Sequence, residues 1–396
     1  FKEVNDRLGH EAGDTVLIET VRRIRGALRP EDLVARLGGD EFLVVFERGE
    51  ADLEVISGRI LAAVERPIRI GDDQARISAS IGLTEVDGDD WSIAEVLRRA
   101  DHALYEAKRA GRQRIVWFDD RLAEDLEERT ALVEALRAAL DAGEIRPVAQ
   151  PVFDMRSGEI MWVEVTPQWR LPAGNEVPPS VFVPLAEELG LVEPLTRSVL
   201  YQGAIARLRW RSHPHLASAA LSVRVVASHL RRGHLVDDVG SLCVQHGLGP
   251  GELQLVLTDT AGIRDPQHAA QAIASMKAMG VGFVLGEFGG GTSTLRDLIT
   301  LPIDIVTVHP RLVQAAPLDE RLAKLLAAFD HVAGTLDLSV GADGVDTPAQ
   351  LEVVRRLELP YAQGLALCPP VPLDELEAVD SSSLDQARRT AIGPAA

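Results

Sequence analysis

A short segment near the amino terminus carries residue types that bind metal and phosphate. The sequence "RPEDLVARLGGDEFLVVF", residues 29–46, sets Gly38, Gly39, Asp40 and Glu41 between two apolar runs. Two glycines let the backbone approach a ligand closely and leave amide groups free to meet phosphate oxygens. Two carboxylates directly after them are hard oxygen ligands for Mg²⁺. The same four residues are also typical of a plain solvated hairpin turn, so both interpretations are open at this point.

The apolar pattern predicts the elements that must hold this turn. "LVARL" and "FLVVF" are short and rich in β-branched and aromatic residues, which predicts two strands joined by the turn. A helical period over residues 12–28 precedes them and stops at Arg29-Pro30. The domain ends near Phe118, and its other predicted elements are a helix over residues 50–65, a strand in "ARISASIGLTEV" and a helix in "SIAEVLRRADHALYEAKRAG" that Gly111 ends.

The rest of the chain alternates between helical and strand-like segments. Residues 119–143 are charged and helical in period, which predicts a connecting helix. Repeated β-then-α units over residues 144–380 favour a parallel sheet closed into a (β/α)8 TIM-like barrel. The small, polar tail over residues 381–396 is predicted to be flexible. The strand-like runs are "RPVAQPVF", "ASAALSVRVV", "ELQLVLT", "VGFVLGEF", "IDIVTVH" and "DLSVGA".

Composition limits the class of partner. Of the 396 residues, 60 are acidic and 41 are Lys or Arg, so the formal net charge is −19. A nucleic acid polymer would be repelled on average, whereas a small nucleotide can still bind in a locally basic pocket. Cys243 and Cys368 fit neither a disulfide framework nor a zinc-ligand spacing, which favours a reducing, cytoplasmic setting. No apolar run reaches the ~18 residues that a membrane helix needs, and anchoring by a segment before Phe1 stays open.

The first domain resembles the GGDEF family, the diguanylate cyclases. Beyond the Gly38–Phe42 string, "FKEVNDRLGHEAGDTVL" and "RRADHALYEAKRAGRQRI" are similar to the family's FKxxND…GHxxGDxxL and ADxALYxAKxxGRN segments, in the right order over residues 1–118. The resemblance implies a nucleotidyl-cyclase-like α/β sandwich that binds GTP and Mg²⁺. Its first strand precedes Phe1 and carries an Asp metal ligand in the family. We therefore expect the natural protein to be competent and this fragment to be impaired.

The resemblance also assigns roles to single residues. Asn5 and Asp14 would contact guanine; Lys2, Lys108 and Arg112 would neutralise the triphosphate; Gly38 and Gly39 would lie against phosphates; Asp40 would ligate Mg²⁺; and Glu41 would bind metal or deprotonate the attacking hydroxyl. Each also has a structural alternative. Lys108 and Arg112 are four apart and fit a solvated helix face, and Asn5 and Asp14 fit turn or cap positions.

The implied reaction is the condensation of two GTP to cyclic di-GMP with loss of two pyrophosphates. One domain holds one GTP, so the resemblance implies a homodimer through the GGDEF domains. Arg29 and Asp32 form an RxxD pattern five residues before Gly38, and in the family this spacing resembles the site of product inhibition by cyclic di-GMP. Without that context, RxxD is equally typical of a surface ion pair.

The second domain resembles the EAL family, the cyclic di-GMP phosphodiesterases, whose barrel binds metals at the carboxyl ends of its strands. Segments outside the metal site agree: "AQPV" at 149–152, "VFVPLAEELGLV" at 181–192, "LP.D" at 301–304 and "AQGLALCPPVP" at 362–372. The metal and phosphate positions diverge. The EAL triplet is Glu164-Val165-Thr166, and the family's later positions are Gln168 for Arg, Arg224 for Asn, Val256 for Glu, Gly286-Glu287 for Asp-Asp, Thr307 for Lys, His309 for Asp and Asp343 for Glu.

These losses predict a barrel without phosphodiesterase activity and without a cofactor. Arg224 alone would put a guanidinium within a metal's coordination sphere, where like charges repel by several kcal/mol at ~4 Å. A metal site rebuilt from His309 and Glu287 is an alternative, and so is metal-free binding of cyclic di-GMP. The remnant of the family site is Gln150, Glu164, Glu287, Asp304, Asp343 and Gln363.

Three hypotheses follow for the whole protein. The first is a diguanylate cyclase with an inhibitory RxxD site, joined to an inactive EAL domain that regulates or scaffolds it. A protein partner of the EAL domain is one option for that role. The second is a non-enzymatic cyclic di-GMP receptor or scaffold. The third is a bifunctional cyclase and phosphodiesterase.

Overall fold

The computed structural model describes residues 4, 8–46, 53–71, 73–86, 92–172, 174–232, 234–263, 265–291, 293–379 and 381–392. The chain divides into two compact units, Phe1–Leu132 and Val133–Ala396. Each unit has its own hydrophobic core, as the family resemblances imply for two domains.

The first unit is an α/β domain of short strands and long helices. In chain order the elements are α1 His10–Ala27, β1 Leu33–Gly38, β2 Glu41–Val45, α2 Leu53–Val64, β3 Ile68–Ile70, β4 Asp73–Ala75, β5 Ile81–Leu83, α3 Ile93–Arg109 and β6 Ile115–Trp117. The strands pair two by two: β1 with β2 and β3 with β4 are antiparallel, and β5 with β6 is parallel. Helix α4 Asp120–Asp141 follows, and the boundary between the two units falls within it.

The predicted hairpin is confirmed, and two helices fix it. Apolar residues of α1 and α2 form one cluster with the half-buried side chains Val34, Phe42 and Val44 of the hairpin. Because this packing covers one face only, the turn is left at the surface. The predicted strand in "ARISASIGLTEV" is wrong over residues 76–80 and 84–86, which lie outside the paired strands Asp73–Ala75 and Ile81–Leu83.

Helix α3 lies directly on strand β5. A Cβ atom added to Gly82 would lie 2.2 Å from the Ala100 carbonyl oxygen and 2.3 Å from the Leu104 nitrogen. Only glycine permits this approach of helix to strand. The contact sets the position of the helix that carries Lys108.

The second unit is a closed barrel surrounded by helices. The strands are β7 Arg146–Asp154, β8 Ile160–Arg170, β9 Glu176–Val177, β10 Ala220–Val226, β11 Leu253–Thr258, β12 Gly282–Phe288, β13 Ile305–Val308, β14 Ser339–Ala342, β15 Tyr361–Ala362 and β16 Val371–Pro372. Within the part of the chain that the structure describes, eight of these strands close the barrel: β7, β8 and β10 to β15. The helices are α5 Pro179–Glu188, α6 Val192–Trp210, α7 His234–His246, α8 Pro266–Ala278, α9 Leu295–Thr300, α10 Pro310–Ala315, α11 Glu320–Gly334, α12 Pro348–Arg356 and α13 Ser381–Ile392.

The sequence had predicted a parallel barrel, but one strand of the barrel is antiparallel. Strand β7 is antiparallel to both of its barrel neighbours, β8 and β15. The connection from β7 to β8 is only residues 155–159, whereas a parallel crossover needs about a dozen residues. The strand Ile160–Arg170, which carries Glu164, was absent from the predicted runs.

Apolar side chains fill the amino-terminal half of the barrel. Val152, Trp162, Ala220, Ile305 and Tyr361 pack together inside it, and the Trp162 and Tyr361 rings meet edge to face with centroids 4.9 Å apart. Polar interior side chains therefore lie toward the carboxyl ends of the strands, as in other barrels of this architecture.

The carboxyl-terminal segment is part of the barrel unit. Residues 381–392 form α13, whose Leu384, Ala387 and Ala391 are buried, and Arg388 Nε donates a hydrogen bond of 3.2 Å to the Gly158 carbonyl. The prediction of a flexible tail is wrong for these residues, because the small residues of the segment pack at helical spacing; residues 393–396 lie outside the described residues. No helix among the described residues is long and apolar enough to cross a bilayer.

Candidate functional site

The hairpin turn presents two carboxylates to solvent. Gly39 has a φ of +50°, a left-handed conformation that favours glycine, and its carbonyl accepts a 3.0 Å hydrogen bond from Arg36 Nε. Asp40 and Glu41 are exposed, as are both glycines. The turn is thus open to a ligand on the side where its backbone amides and carboxylates meet solvent.

A basic side chain approaches this turn from α3. Lys108 Nζ lies 3.9 Å from Glu41 Oε1, and both side chains remain about half exposed. An exposed pair at this distance contributes little to stability. Its interest is chemical, since a cation beside two carboxylates can contact the phosphates of a nucleotide whose metal the carboxylates hold.

Two other residues of the predicted GTP site do not hold the structural positions that the spacing had suggested for them. Arg112 lies beyond the end of α3 with a φ of +59°, so it does not share a helix face with Lys108 as the spacing had suggested. Asp14 is an exposed position inside α1, which begins at His10, and therefore does not cap that helix. Lys2 and Asn5 lie outside the described residues.

Arg29 and Asp32 form a closed turn at the other end of β1. Asp32 Oδ2 accepts a 2.7 Å hydrogen bond from the Arg29 backbone N–H, and the Asp32 N–H donates to the Arg29 carbonyl at 3.2 Å. The Arg29 side chain is exposed. Strand β1 spans about 20 Å at 3.3 Å per residue, so this pair is separate from the Gly-Gly-Asp-Glu turn.

In the barrel, one arginine stands among three carboxylates. Arg224 Nε donates to Glu164 Oε1 at 2.5 Å, Nη1 donates to Glu287 Oε1, and Nη2 lies 3.8 Å from Asp343 Oδ2. The four residues come from β8, β10, β12 and the end of β14. The parallel strands bring them to one edge because Ser222, two residues before Arg224, is in register with Glu164. We call Arg224, Glu164, Glu287 and Asp343 the arginine–carboxylate cluster.

The charges of this cluster depend on one another. Burial lowers the pKa of the Arg224 guanidinium, but Glu164, Asp343 and Glu287 together raise it above its ordinary value, so the group stays charged. Burial, then the Glu164 carboxylate, raises the pKa of Asp343 to about 7, although Arg224 opposes the shift. The Thr307 hydroxyl donates to Asp343 Oδ2 at 2.8 Å. The cluster is internally paired.

The residues at this edge do not suit a divalent metal. A guanidinium already stands between the carboxylates, and Val256, the residue in register with Arg224 on β11, has no donor atom. Nowhere in the described parts of the chain do three or more His, Cys, Asp or Glu side chains form a group that could hold a metal ion. The donor set that the family resemblance implies is therefore incomplete.

His309 has a structural role at the same edge. Its Nδ1 accepts a 3.1 Å hydrogen bond from the Arg311 backbone N–H and caps α10. Its ring packs against the glycine turn after β12. The contact is so close that a Cβ added to Gly290 would lie 2.4 Å from His309 Cδ2. These contacts explain His309 without a metal.

Two glutamines of the predicted remnant lie next to the cluster, but Asp304 does not. Gln150 is in register with Glu164 and donates to the Cys368 carbonyl at 2.8 Å, and Gln363 Nε2 lies 3.5 Å from the Gln150 carbonyl. Asp304 precedes β13, at the opposite end of the strand from Thr307, and pairs with Lys277 at 2.5 Å. Asp304 therefore lies away from the arginine–carboxylate cluster.

Sequence reasoning missed the partners that residues acquired in place of the family's ligands. Arg224 and Thr307 were counted only as losses, yet both bind the carboxylates that remain. The period-two alternation of β10 was the available signal for Arg224. It puts Arg224 on the same strand face as Ser222, the residue in register with Glu164.

Comparison with known proteins decides the family. The model of the EAL domain family matches residues 133–370, more than half of the chain. The chain belongs to the EAL family. It also carries a GGDEF domain, since the family described as "Diguanylate cyclase, GGDEF domain" matches residues 1–114.

Two relatives match nearly the whole chain. The bifunctional diguanylate cyclase/cyclic di-GMP phosphodiesterase MucR of Pseudomonas aeruginosa is 33% identical over 377 residues, which are 95% of this chain and 55% of MucR. The cyclic di-GMP phosphodiesterase NbdA of the same organism is 31% identical, covering 95% of this chain and 48% of NbdA. This EAL family chain thus spans about half the length of the curated relatives it matches.

Solved structures resemble the EAL domain. The P. aeruginosa MucR phosphodiesterase in complex with c-di-GMP is 30% identical, with a TM-score of 0.58, over 62% of this chain and 99% of that one. The FimX EAL domain of P. aeruginosa bound to c-di-GMP is 21% identical, with a TM-score of 0.54, over 60% and 95%. The second likeness supports the fold alone.

Proposed function

We propose that this chain acts in cyclic di-GMP signalling and that its GGDEF domain condenses two GTP to cyclic di-GMP. The observation that carries the proposal is the exposed Gly38–Glu41 turn with Lys108 Nζ 3.9 Å from Glu41. Glycine amides, two hard carboxylates and a cation are the groups that bind a metal-nucleotide.

The donor set of the turn suits Mg²⁺. Asp40 and Glu41 would hold the ion, which neutralises phosphate charge when it is bound. Gly38 and Gly39 would let the phosphates approach the backbone, while Lys108 and Arg112 would bind phosphate oxygens. Glu41 is also the candidate to take the proton of the attacking 3′-hydroxyl, whose target is the α-phosphate of a second GTP held by a second protomer.

Product inhibition is the proposed role of Arg29 and Asp32. Asp32 holds the turn that displays the exposed Arg29 side chain. A guanidinium in that position can pair with a phosphate and stack on a guanine. The separation of this turn from the Gly-Gly-Asp-Glu turn by the length of β1 fits an inhibitory site rather than a second part of the substrate site.

For the EAL domain we propose a regulatory or scaffolding role without hydrolysis of cyclic di-GMP. Arg224 stands where a cation would have to bind, and Val256 and Thr307 lack the carboxylate and the ammonium that the family resemblance implies. A phosphodiesterase that needs a metal there has no complete donor set.

The test is conversion of GTP by the natural full-length protein. We expect cyclic di-GMP to form with GTP and Mg²⁺, and Asp40→Ala to reduce its formation at least ~100-fold, because a metal ligand is lost. Glu128→Ala, which removes one exposed charge on α4, is the matched control and should leave the rate unchanged. A wild-type protein that binds cyclic di-GMP but forms none from GTP would overturn the proposal in favour of a receptor.

A further inference from the structure

We propose that the Arg224 guanidinium is a built-in cation of the barrel, which holds Glu164, Glu287 and Asp343 together where a dissociable divalent metal would otherwise be needed. The inference rests on the proposed lack of a metal in the EAL domain. It does not depend on whether the GGDEF domain acts on GTP.

The first argument is charge. Glu164 and Asp343 have side chains only 5% and 8% exposed, and Glu287 reaches the same guanidinium from β12. Carboxylates that are buried close together need a counter-charge, since each loses the solvation that stabilises its charged form. Among the described residues, all three carboxylates form ion pairs with Arg224.

The second argument is geometry. Arginine commonly binds one carboxylate with two nitrogens, as a fork. Here Nε, Nη1 and Nη2 each turn to a different carboxylate. One cation at the centre of three separate oxygen donors is the arrangement expected of a metal ion, and the planar guanidinium, with donors on all sides, is the side chain that can reproduce it.

The third argument is the backbone of the β12 end. Glu287 has a φ of +56°, a left-handed conformation that is unfavourable for a residue with a Cβ. Such a conformation persists only where the surroundings hold it. The ion pair from Arg224 reaches the side chain of this residue, and Gly289 and Gly291 continue the turn with positive φ. The guanidinium therefore stabilises the turn as well as the carboxylates.

Removal of the cation should leave a latent metal site. Three carboxylates without a counter-charge are hard oxygen donors of the kind that bind Mg²⁺, Mn²⁺ and Ca²⁺. We expect Arg224→Asn, which frees the space and adds an amide oxygen, to lose stability in EDTA and to gain a site for a divalent cation.

The experiment uses the full chain in an Asp40→Ala, Glu41→Ala background, so that the hairpin turn cannot contribute a metal site. Mn²⁺ binding is followed by electron paramagnetic resonance, and thermal unfolding is followed with EDTA and with Mn²⁺. The parent should bind no Mn²⁺ tighter than about 1 mM, and its Tm should be the same in both buffers. In EDTA, Arg224→Asn should melt at least ~3 °C below the parent. Mn²⁺ should restore its Tm, and it should bind Mn²⁺ at least ~10-fold more tightly than the parent does.

The control is Arg197→Ala, which breaks the exposed ion pair with Asp238 and should change neither Tm nor Mn²⁺ binding. If Arg224→Asn does not fold in either buffer, Arg224→Met decides, because methionine fills similar volume without the charge. A lower Tm that Mn²⁺ restores supports the proposal. Metal binding by the parent equal to that of the variant, or an unchanged Tm in EDTA for the variant that folds, would overturn it.

Discussion

Two arginines of this chain show how surroundings determine the role of a residue. Arg29 stands on an exposed turn, and only its backbone is engaged in the turn's hydrogen bonds to Asp32. Arg224 lies inside the barrel edge with its nitrogens turned to three carboxylates. The first is therefore available to an external anion, whereas the second is committed to internal ones.

The two residues of the RxxD pattern should respond differently to substitution. We expect Arg29→Ala to raise the cyclic di-GMP concentration that halves the cyclase rate at least ~10-fold, without a change in stability, because the exposed side chain supports no element. Asp32→Ala should relieve inhibition and also lower the free energy of unfolding by about 1 kcal/mol, since the Arg29 N–H loses its acceptor. Initial rates with added product and thermal unfolding measure both. Unchanged inhibition in Arg29→Ala would exclude it from the inhibitory site.

Two arginines at the carboxyl end of α6 pair with Glu252, the residue just before β11, and this predicts a pH dependence of stability. The hydrogen bond from Arg211 lowers the pKa of Glu252 to about 2, with burial opposing the shift, and the carboxylate also lies 2.9 Å from the buried Arg207. A pKa below the unfolded value of 4.5 adds stability above pH 4.5, which is lost as the pH falls toward 2.

Glu252→Gln should therefore unfold more easily at neutral pH, by roughly 3 kcal/mol, and lose less stability between pH 4.5 and 2. Denaturant unfolding at several pH values tests this. Glu320→Gln removes an exposed partner of Lys324 and is the matched control, expected to change little. If Glu252→Gln and the wild type lost equal stability between pH 4.5 and 2, the assigned pKa shift would be contradicted.

At the scale of elements, the close approach of α3 to β5 positions the basic end of the candidate GTP site. Gly82→Ala should cost about 3 kcal/mol or more, because its Cβ would meet backbone atoms of α3 at 2.2 and 2.3 Å. Gly26→Ala in α1, where nothing lies within 4 Å of the added atom, should instead stabilise by about 0.5 kcal/mol. Thermal unfolding compares the two. A tolerated Gly82→Ala would show that the helix can shift away from the strand.

At the scale of the whole molecule, the two domains present different groups at their candidate sites. The turn from Gly38 to Glu41 retains glycines and carboxylates at the surface, whereas Arg224, Val256 and Thr307 take up the carboxyl edge of the barrel. A net charge of −19 makes local cations such as Lys108 the more important for a phosphate ligand.

This contrast predicts which reaction fails. With cyclic di-GMP and either Mg²⁺ or Mn²⁺, the protein should release no linear dinucleotide above the rate without protein, measured by chromatography. Arg224→Asn should not restore hydrolysis, because Val256 and Thr307 still lack the family's groups. Appreciable turnover by the wild type would mean that the barrel completes its donor set in a way that the arginine–carboxylate cluster does not reveal.

The sequence by itself determined the hairpin, helix α3 and both families. Hydrophobic period and turn residues act over a few positions, so the hairpin and α3 followed from letters close together in the chain. The tertiary structure alone decided the antiparallel β7, the burial of α13, the position of Asp304 at the amino end of β13 and the pairing of Arg224 with three carboxylates. Each of these depends on groups brought together from distant strands, where strand register and burial select the partner, and no short-range pattern carries that information.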